Sequence, residues 1–376
     1  MLTPCPTAAT DARRLHNTSY SKTLQWLIKS RIKNIDMDKK KFWLKLLFLL
    51  FLIGATVNII SKQRNTPYQY DTGFIFGTVY HITYQHDKSL NNEIVAELNK
   101  VDAALSMFNK KSEITRINNN EPITVGKMFT DVFTLAEKIS ADTDGAFDIT
   151  VAPLVNAWGF GFKNGTLPTK EKIDSLKAFV GFDKVSLNDG KVKKSDPRTM
   201  LDCGAIAKGY GCDVVADYMR RQGIENFMVE IGGEVVTSGI SEKRVPWKIG
   251  VTKPSDDSTN TSKELQTVLN ITDKAMATSG NYRNFYFKNG RKYAHTIDPK
   301  SGFPVQHSLL SATVVANRCA TADAYATSFM VMGIEKAKKV LERNPQLMAY
   351  FIYADKDGKY KVWSSPSMKG KIIDGK

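Results

Sequence analysis

The sequence predicts an α+β fold: a single large domain of mixed, largely antiparallel sheets with helices, behind an N-terminal membrane anchor or signal. Three observations predict it. Strand-like and helix-like segments alternate irregularly, and many strand pairs are close enough in sequence to be hairpins, which disfavours a doubly wound parallel sheet. The composition is globular, with 42% hydrophobic and 24% charged residues in 376, enough for a sizeable core. The charge is also uneven: residues 1–65 hold 12 of the 53 lysines and arginines against three acids.

From the N-terminus, Lys39-Lys40-Lys41 leads into an apolar run that continues uncharged from Leu46 to Ile60. Basic residues before such a run mark a signal peptide or a retained anchor. The run is short for a span of roughly 20 residues, but with Phe42–Leu44 included and Lys45 snorkelling it reaches across. No small-x-small cleavage site stands near Gly54-Ala55 and no Cys follows the run, which disfavours a lipoprotein and favours a retained anchor over a cleaved signal. The lysine asymmetry puts residues 1–41 in the cytoplasm and the body outside. The stretch from Met37 reads as a complete export signal, so translation is expected to begin there.

Residues 61–71 read as a polar linker. Phe74–Tyr84 is aromatic and β-branched and predicts a strand. Asn91–Phe108 and Phe129–Ile139 have helical apolar spacing, the second ended by Asp142-Thr-Asp-Gly145. The middle predicts strands at Met200–Asp202, Phe227–Ile231, Trp247–Val251 and Leu265–Ile271, with a helix over Lys208–Arg221. Residues 253–264 form a polar loop. A strand at Leu309–Val315 precedes helices over Ala322–Met332 and Ile334–Arg343. A hairpin of Met348–Tyr353 and Tyr360–Trp363 closes the chain.

With most of the excess charge in the N-terminal segment, the body carries only a modest surplus, and the high pI is no argument for nucleic-acid binding. Cys5, Cys203, Cys212 and Cys319 match no zinc or redox spacing. Buried free thiols fit Cys203 and Cys319 best, with a Cys203–Cys212 disulfide as the alternative.

Four stretches hold more polar chemistry than packing asks for. In Phe147–Gly161, Asp148, Thr150, Asn156 and Trp158 interrupt an apolar run. They form either a wall that stacks and reads a base or a core strand and helix with Asp148 as a cap. Leu201-Asp-Cys-Gly-Ala-Ile-Ala-Lys-Gly-Tyr-Gly211 joins a strand to a helix through glycines. Such a turn lets backbone approach an anion, and Lys208 adds a point charge for phosphate; otherwise it is a tight turn with a solvated lysine. Thr278-Ser-Gly-Asn-Tyr282 precedes His295-Thr-Ile-Asp-Pro-Lys-Ser-Gly302, where a histidine beside a turn suits proton transfer near neutral pH or plays a structural part. Ala320–Met330 places Asp323 and Thr327 at i and i+4 on one helix face. That pair suits a hard cation such as Mg²⁺; alternatively, Asp323 merely answers the helix dipole.

Taken in order, FDITVAPLVNAWGFG, LDCGAIAKGYG, VEIGGE, SGNY, HTIDPKSG and TADAYATS resemble the FAD:protein FMN transferase family, the ApbE-type flavin transferases. The likeness runs from about Phe74 to Trp363 and is specific in combination. It implies Mg²⁺-dependent cleavage of FAD, transfer of FMN to a Thr or Ser hydroxyl of a target flavoprotein, and release of AMP. It implies Mg²⁺ on Asp323, Thr327 and the carbonyl of Ala205, with Lys208 facing the FAD phosphates and Asp202 the cofactor. His295 is implied in transfer, and Phe108, Asn109 and Asp148 in nucleotide contact. The implied partners are extracytoplasmic flavin-carrying subunits of membrane redox complexes of the Nqr and Rnf type, at the periplasmic face of a bacterial inner membrane. The domain organisation then reads as a cytoplasmic leader (1–41), a signal anchor or signal peptide (42–60), a linker (61–73), a flavin transferase domain (74–366) and a tail (367–376). Two other activities share these residues: a metal-dependent FAD pyrophosphatase with water as acceptor, and a passive periplasmic flavin-binding protein.

Overall fold

The computed structural model describes residues 11–161, 167–254, 264–281, 285–288 and 291–373. Cys5, Tyr282 and residues 255–263 of the polar loop lie outside the described residues. The chain divides into Met1–Thr66 and Pro67–Lys376. The described residues of the first unit form one helix, α1 (Asp11–Asn65). Its stretch Gln25–Asn58 is long and apolar enough to cross a membrane, by length and composition.

In the second unit, β1 (Tyr68–Ile75) and β2 (Thr78–Gln85) form a hairpin. Two expectations are corrected here. The first strand begins inside the stretch read as linker, and Phe74–Tyr84 is not one strand. It breaks at Phe76-Gly77, both with positive φ (52° and 74°). A left-handed Phe is uncommon; its ring is held against Gly211, where a Cβ would come within 2.6 Å of it.

Helix α2 (Asn91–Leu105) follows, then α3 (Glu113–Asn118), α4 (Lys127–Asp142), α5 (Ala152–Ala157) and α6 (Lys170–Lys177). A small hairpin, β3 (Val185–Asn188) and β4 (Lys191–Lys194), precedes α7 (Ala207–Arg221). Next come β5 (Phe227–Ile231), β6 (Glu234–Ser238), β7 (Lys248–Thr252), β8 (Leu265–Asn270) and β9 (Ala275–Gly280). The hairpin β10 (Phe285–Lys288) and β11 (Arg291–Ala294) leads to β12 (Leu309–Ala316). The chain ends in α8 (Cys319–Met332), α9 (Ile334–Arg343), β13 (Met348–Ala354), β14 (Tyr360–Ser364) and β15 (Ile372–Ile373).

Eight strands form one sheet in the order β1-β2-β5-β6-β9-β12-β13-β14, every neighbouring pair antiparallel. The α+β architecture therefore stands. Met200–Asp202 does not form a strand; Met200 makes only an isolated parallel bridge to Val151. One face of the sheet carries α7 and α8, with α4 packed on α8. Against the other face lies the sheet β15-β8-β7, sealed by Val235, Val251, Leu269, Met276 and Val315. A satellite cluster of Leu154, Trp158, Ile173 and Ile297 joins α5 and α6 to the loop after β11.

Sandwiched between the sheet and α4, α8 is apolar almost all round, as a doubly covered helix requires. It meets α7 at Gly209, where a Cβ would lie 2.5 Å from the Cys319 carbonyl oxygen. Only glycine lets the two backbones approach so closely. Cys203, Cys212 and Cys319 are buried free thiols, and the Cys203–Cys212 disulfide does not form. We expect Gly209→Ala to destabilise the fold by about 1–3 kcal/mol, the range for overpacking, despite alanine's better helix propensity. Urea denaturation measures it; an unchanged midpoint would show that the crossing can relax.

Candidate active site

The loop Asp202–Ile206 delivers α7 to the site. The Asp202 amide donates to the Ile149 carbonyl (2.6 Å), tying this loop to Phe147–Val151. The Asp202 carboxylate folds the turn by accepting from the Gly204 amide at 2.7 Å. The Ile206 and Ala207 amides then donate to the Cys203 carbonyl, at 3.0 and 2.8 Å, and start the helix. Lys208, in its first turn, reaches back towards the Gly204 carbonyl at 3.4 Å.

A cavity of about 440 Å³ opens in front of this turn. Its walls come from sequence-distant segments: Met107 and Phe108 after α2, Phe147–Ile149, the Asp202–Lys208 turn, Gly232 and Glu234 at the β5–β6 corner, and Thr278–Gly280 on β9. His295–Ile297 closes one side, and Asp323, Thr327 and Val331 present one face of α8. Every predicted site residue except Asn109 lines this cavity. Asn109 lines an adjoining space of about 550 Å³ that shares Phe108, Asp202 and Lys208.

Asp323 is 2% exposed. Its Oδ2 accepts from the Gly209 amide at 3.1 Å. The helix begins at Cys319, three residues earlier than predicted, so Asp323 sits in its second turn and the simple dipole account fails. One turn on, Thr327 Oγ1 lies 3.1 Å from Ser279 Oγ. Lys208 Nζ lies 3.7 Å from Glu234 Oε1, a carboxylate buried at the cavity wall. Burial opposes the ammonium, but Asp323 and Glu234 outweigh it and hold Lys208 above the ordinary lysine range. Lys208 therefore stays charged, and Asp202 is shifted upward by burial against the pull of the Gly204 amide and Lys208.

His295 is half-buried, its ring edge-on to Phe160 with centroids 6.3 Å apart. The segment after it is held by hydrogen bonds of its own turn. Asp298 accepts from the Lys300 amide (3.0 Å), and the Gly302 amide returns to the Asp298 carbonyl at 2.8 Å. The Trp158 indole donates to the Gly302 carbonyl at 2.8 Å and stacks on Tyr293. Trp158 is thus buttress rather than base-stacking wall; Phe160, two residues on, faces the cavity. Asn109 has its amide occupied, Nδ2 donating to Asp102 at 2.7 Å. Phe108 beside it is 72% exposed. Sequence reasoning passed over Glu234 and Phe160. The Gly232-Gly233-Glu234 corner carried a signal, a paired glycine turn presenting an acid; Phe160 carried none.

Among the described residues, no group of three or more His, Cys, Asp or Glu could hold a metal. The fit of Mg²⁺ rests instead on a hard-donor set: a buried carboxylate, a hydroxyl one turn along the same helix, and the Ala205 turn on the same cavity.

An antiparallel α+β body thus brings a charged lysine and a carboxylate–hydroxyl pair onto one cavity. The model of the ApbE family matches residues 76–351, and the chain belongs to that family. A Vibrio cholerae protein named FAD:protein FMN transferase is 39% identical over 331 residues, covering 85% of this chain and 97% of its own. The flavin transferase ApbE structure from Vibrio cholerae superposes with a TM-score of 0.73 at 37% identity, covering 81% of this chain and 99% of its own. The apo flavinyl transferase ApbE of Pseudomonas stutzeri gives 0.73 at 30% identity, covering 82% and 98%.

Asp148 accepts from the Thr150 amide (2.8 Å) and hydroxyl (2.6 Å), and burial pushes its pKa up against those bonds. The fold holds this proton more tightly than the unfolded chain does. Its contribution to stability therefore falls as pH rises from the ordinary value of 3.8 through the raised one. Asp148→Asn keeps an acceptor for Thr150 and removes that slope. Urea denaturation at pH values rising from the ordinary 3.8 should show the wild type losing stability relative to the variant; parallel curves would place the titration elsewhere.

Proposed function

We propose that this chain is a Mg²⁺-dependent FAD:protein FMN transferase. The observation that carries the reading is the convergence of Lys208, Asp323 and Thr327 on one cavity, in a chain of the ApbE family. Lys208 binds the pyrophosphate of FAD, and the Asp202–Ile206 turn brings backbone against it. Asp323, Thr327 and the Ala205 carbonyl would hold Mg²⁺, which supplies charge neutralisation to the pyrophosphate oxygens. Phe108, Asn109, Asp148 and Asp202 flank the nucleotide.

His295 takes the proton from the acceptor hydroxyl. The hydroxyl oxygen forms a bond to the FMN phosphorus, the bond from that phosphorus to the bridging oxygen breaks, and AMP leaves with the bridging oxygen. The acceptor is a Thr or Ser of a flavoprotein. We place it among extracytoplasmic subunits of membrane redox complexes of the Nqr and Rnf type, because α1 is long and apolar enough to anchor the enzyme beside them and raise their effective concentration. Lysines ahead of the apolar run orient the body to the periplasm of a bacterial inner membrane.

Asp323→Ala should abolish Mg²⁺-dependent turnover of FAD, followed by AMP release. Full activity would remove the metal assignment. His295→Ala should bind FAD as the wild type does while losing transfer by on the order of 10²–10⁴-fold, read as protein-bound FMN by mass spectrometry. Release of free FMN from FAD without an acceptor, at the transfer rate, would favour the pyrophosphatase reading instead.

A further inference from the structure

The N-terminus of α8 is not capped by its own sequence: Arg318, at the cap position, makes no side-chain capping bond. The cap comes from α7. Asp213 Oδ1 accepts from the Cys319 amide at 2.8 Å and Oδ2 from the Ala320 amide at 2.9 Å. Arg318 Nε lies 3.4 Å from Oδ2, and its guanidinium is gripped by both Asp217 oxygens at 2.8 Å. Asp213 is 2% exposed. Burial pushes its pKa up to about 6 against the pull of Arg318 and the two amides, so it is ionised at neutral pH.

This bond pairs with another in the opposite direction. The Gly209 amide of α7 donates to Asp323 Oδ2 of α8 at 3.1 Å. Gly209 and Asp213 are four residues apart on one helix, and Cys319 and Asp323 four apart on the other. The two helices are thus joined by reciprocal hydrogen bonds spaced one turn apart. Gly209 follows Lys208 directly, so the clamp sets how far the lysine and the Ala205 turn stand from Asp323 and Thr327.

We infer that Asp213 is a positioning residue for the cation site, holding α8 so that Asp323 and Thr327 face the Ala205 turn. It touches neither cation nor substrate and acts through the head of α8. The inference rests on the proposed Mg²⁺ reading. A neutral amide in place of Asp213 can accept from only one of the two buried N–H groups, and its own NH₂ opposes the other. Loss of such an outer partner typically weakens metal affinity by about 10–100-fold.

The test is Asp213→Asn in the full chain. Mn²⁺ affinity, from free Mn²⁺ by electron paramagnetic resonance, and the Mg²⁺ concentration for half-maximal FAD turnover should both weaken by about 10-fold or more. FAD affinity without metal should stay as in the wild type. A purely structural cap would lower Tm and leave metal affinity of the folded protein unchanged; that result overturns the inference. If Asp213→Asn does not fold, Arg318→Gln at a half-exposed side chain gives the second reading. It should weaken Mn²⁺ binding about two- to fivefold, because the carboxylate loses one of its charge partners, and unaltered binding overturns the inference there. A wild type that binds no Mn²⁺ and needs no Mg²⁺ fails the metal reading itself, whereas a metal-dependent wild type with an indifferent variant fails only the role of Asp213.

Discussion

The close passage of α7 over α8 at Gly209 is the constraint on which the rest of the molecule depends. A single missing Cβ lets the backbones touch, with the Cys319 carbonyl oxygen only 2.5 Å from where that carbon would be. Everything chemical follows from that contact. Lys208 immediately precedes the glycine, and the glycine's amide holds Asp323. Two charges that packing alone would push to the surface are kept at a cavity wall because each helix supplies the other's electrostatic needs. Burying charge is costly unless it is paired and hydrogen-bonded, and here the pairing is assembled by helix crossing, not by neighbours in sequence.

The eight-stranded sheet makes that crossing possible. It offers a broad face on which both helices lie, while β7, β8 and β15 cover the other. The sheet also delivers residues of its own: the β5–β6 corner brings Glu234 and the end of β9 brings Ser279. Ser279 pairs with Thr313's neighbour Ala312 across the ladder and still turns its hydroxyl to Thr327 on the helix. Antiparallel strands suit this role, because short corners return the chain repeatedly to the same edge of the cavity.

Much of this was legible in the sequence, where a local pattern decided the outcome. Periodic apolar spacing marked α2, α7 and α9 closely, and Ile334–Arg343 has the same ends in pattern and structure. The Asp323/Thr327 pair could be read because a helix puts i and i+4 side by side. What failed was decided at long range. The break at Phe76-Gly77 had only one lone glycine to announce it, and the left-handed Phe76 beside it packs on Gly211 of a distant helix. Trp158 looked like a ligand wall because aromatic residues serve both purposes, and only Gly302, 144 positions away, shows which. Asp213 gave no signal, because its partners lie 106 and 107 residues on.

The satellite cluster around Trp158 gives the molecule a seam. Leu154, Trp158, Ile173 and Ile297 pack together apart from the main cores, yet Ile297 is two residues from His295. A small separate cluster opens with less free energy than the whole fold requires. The side of the cavity carrying His295 therefore rests on packing separate from that of α7, α8 and the sheet. The wall bearing Lys208, Asp323 and Thr327 is built on α7 and α8, whereas the wall bearing His295 is backed by this satellite cluster.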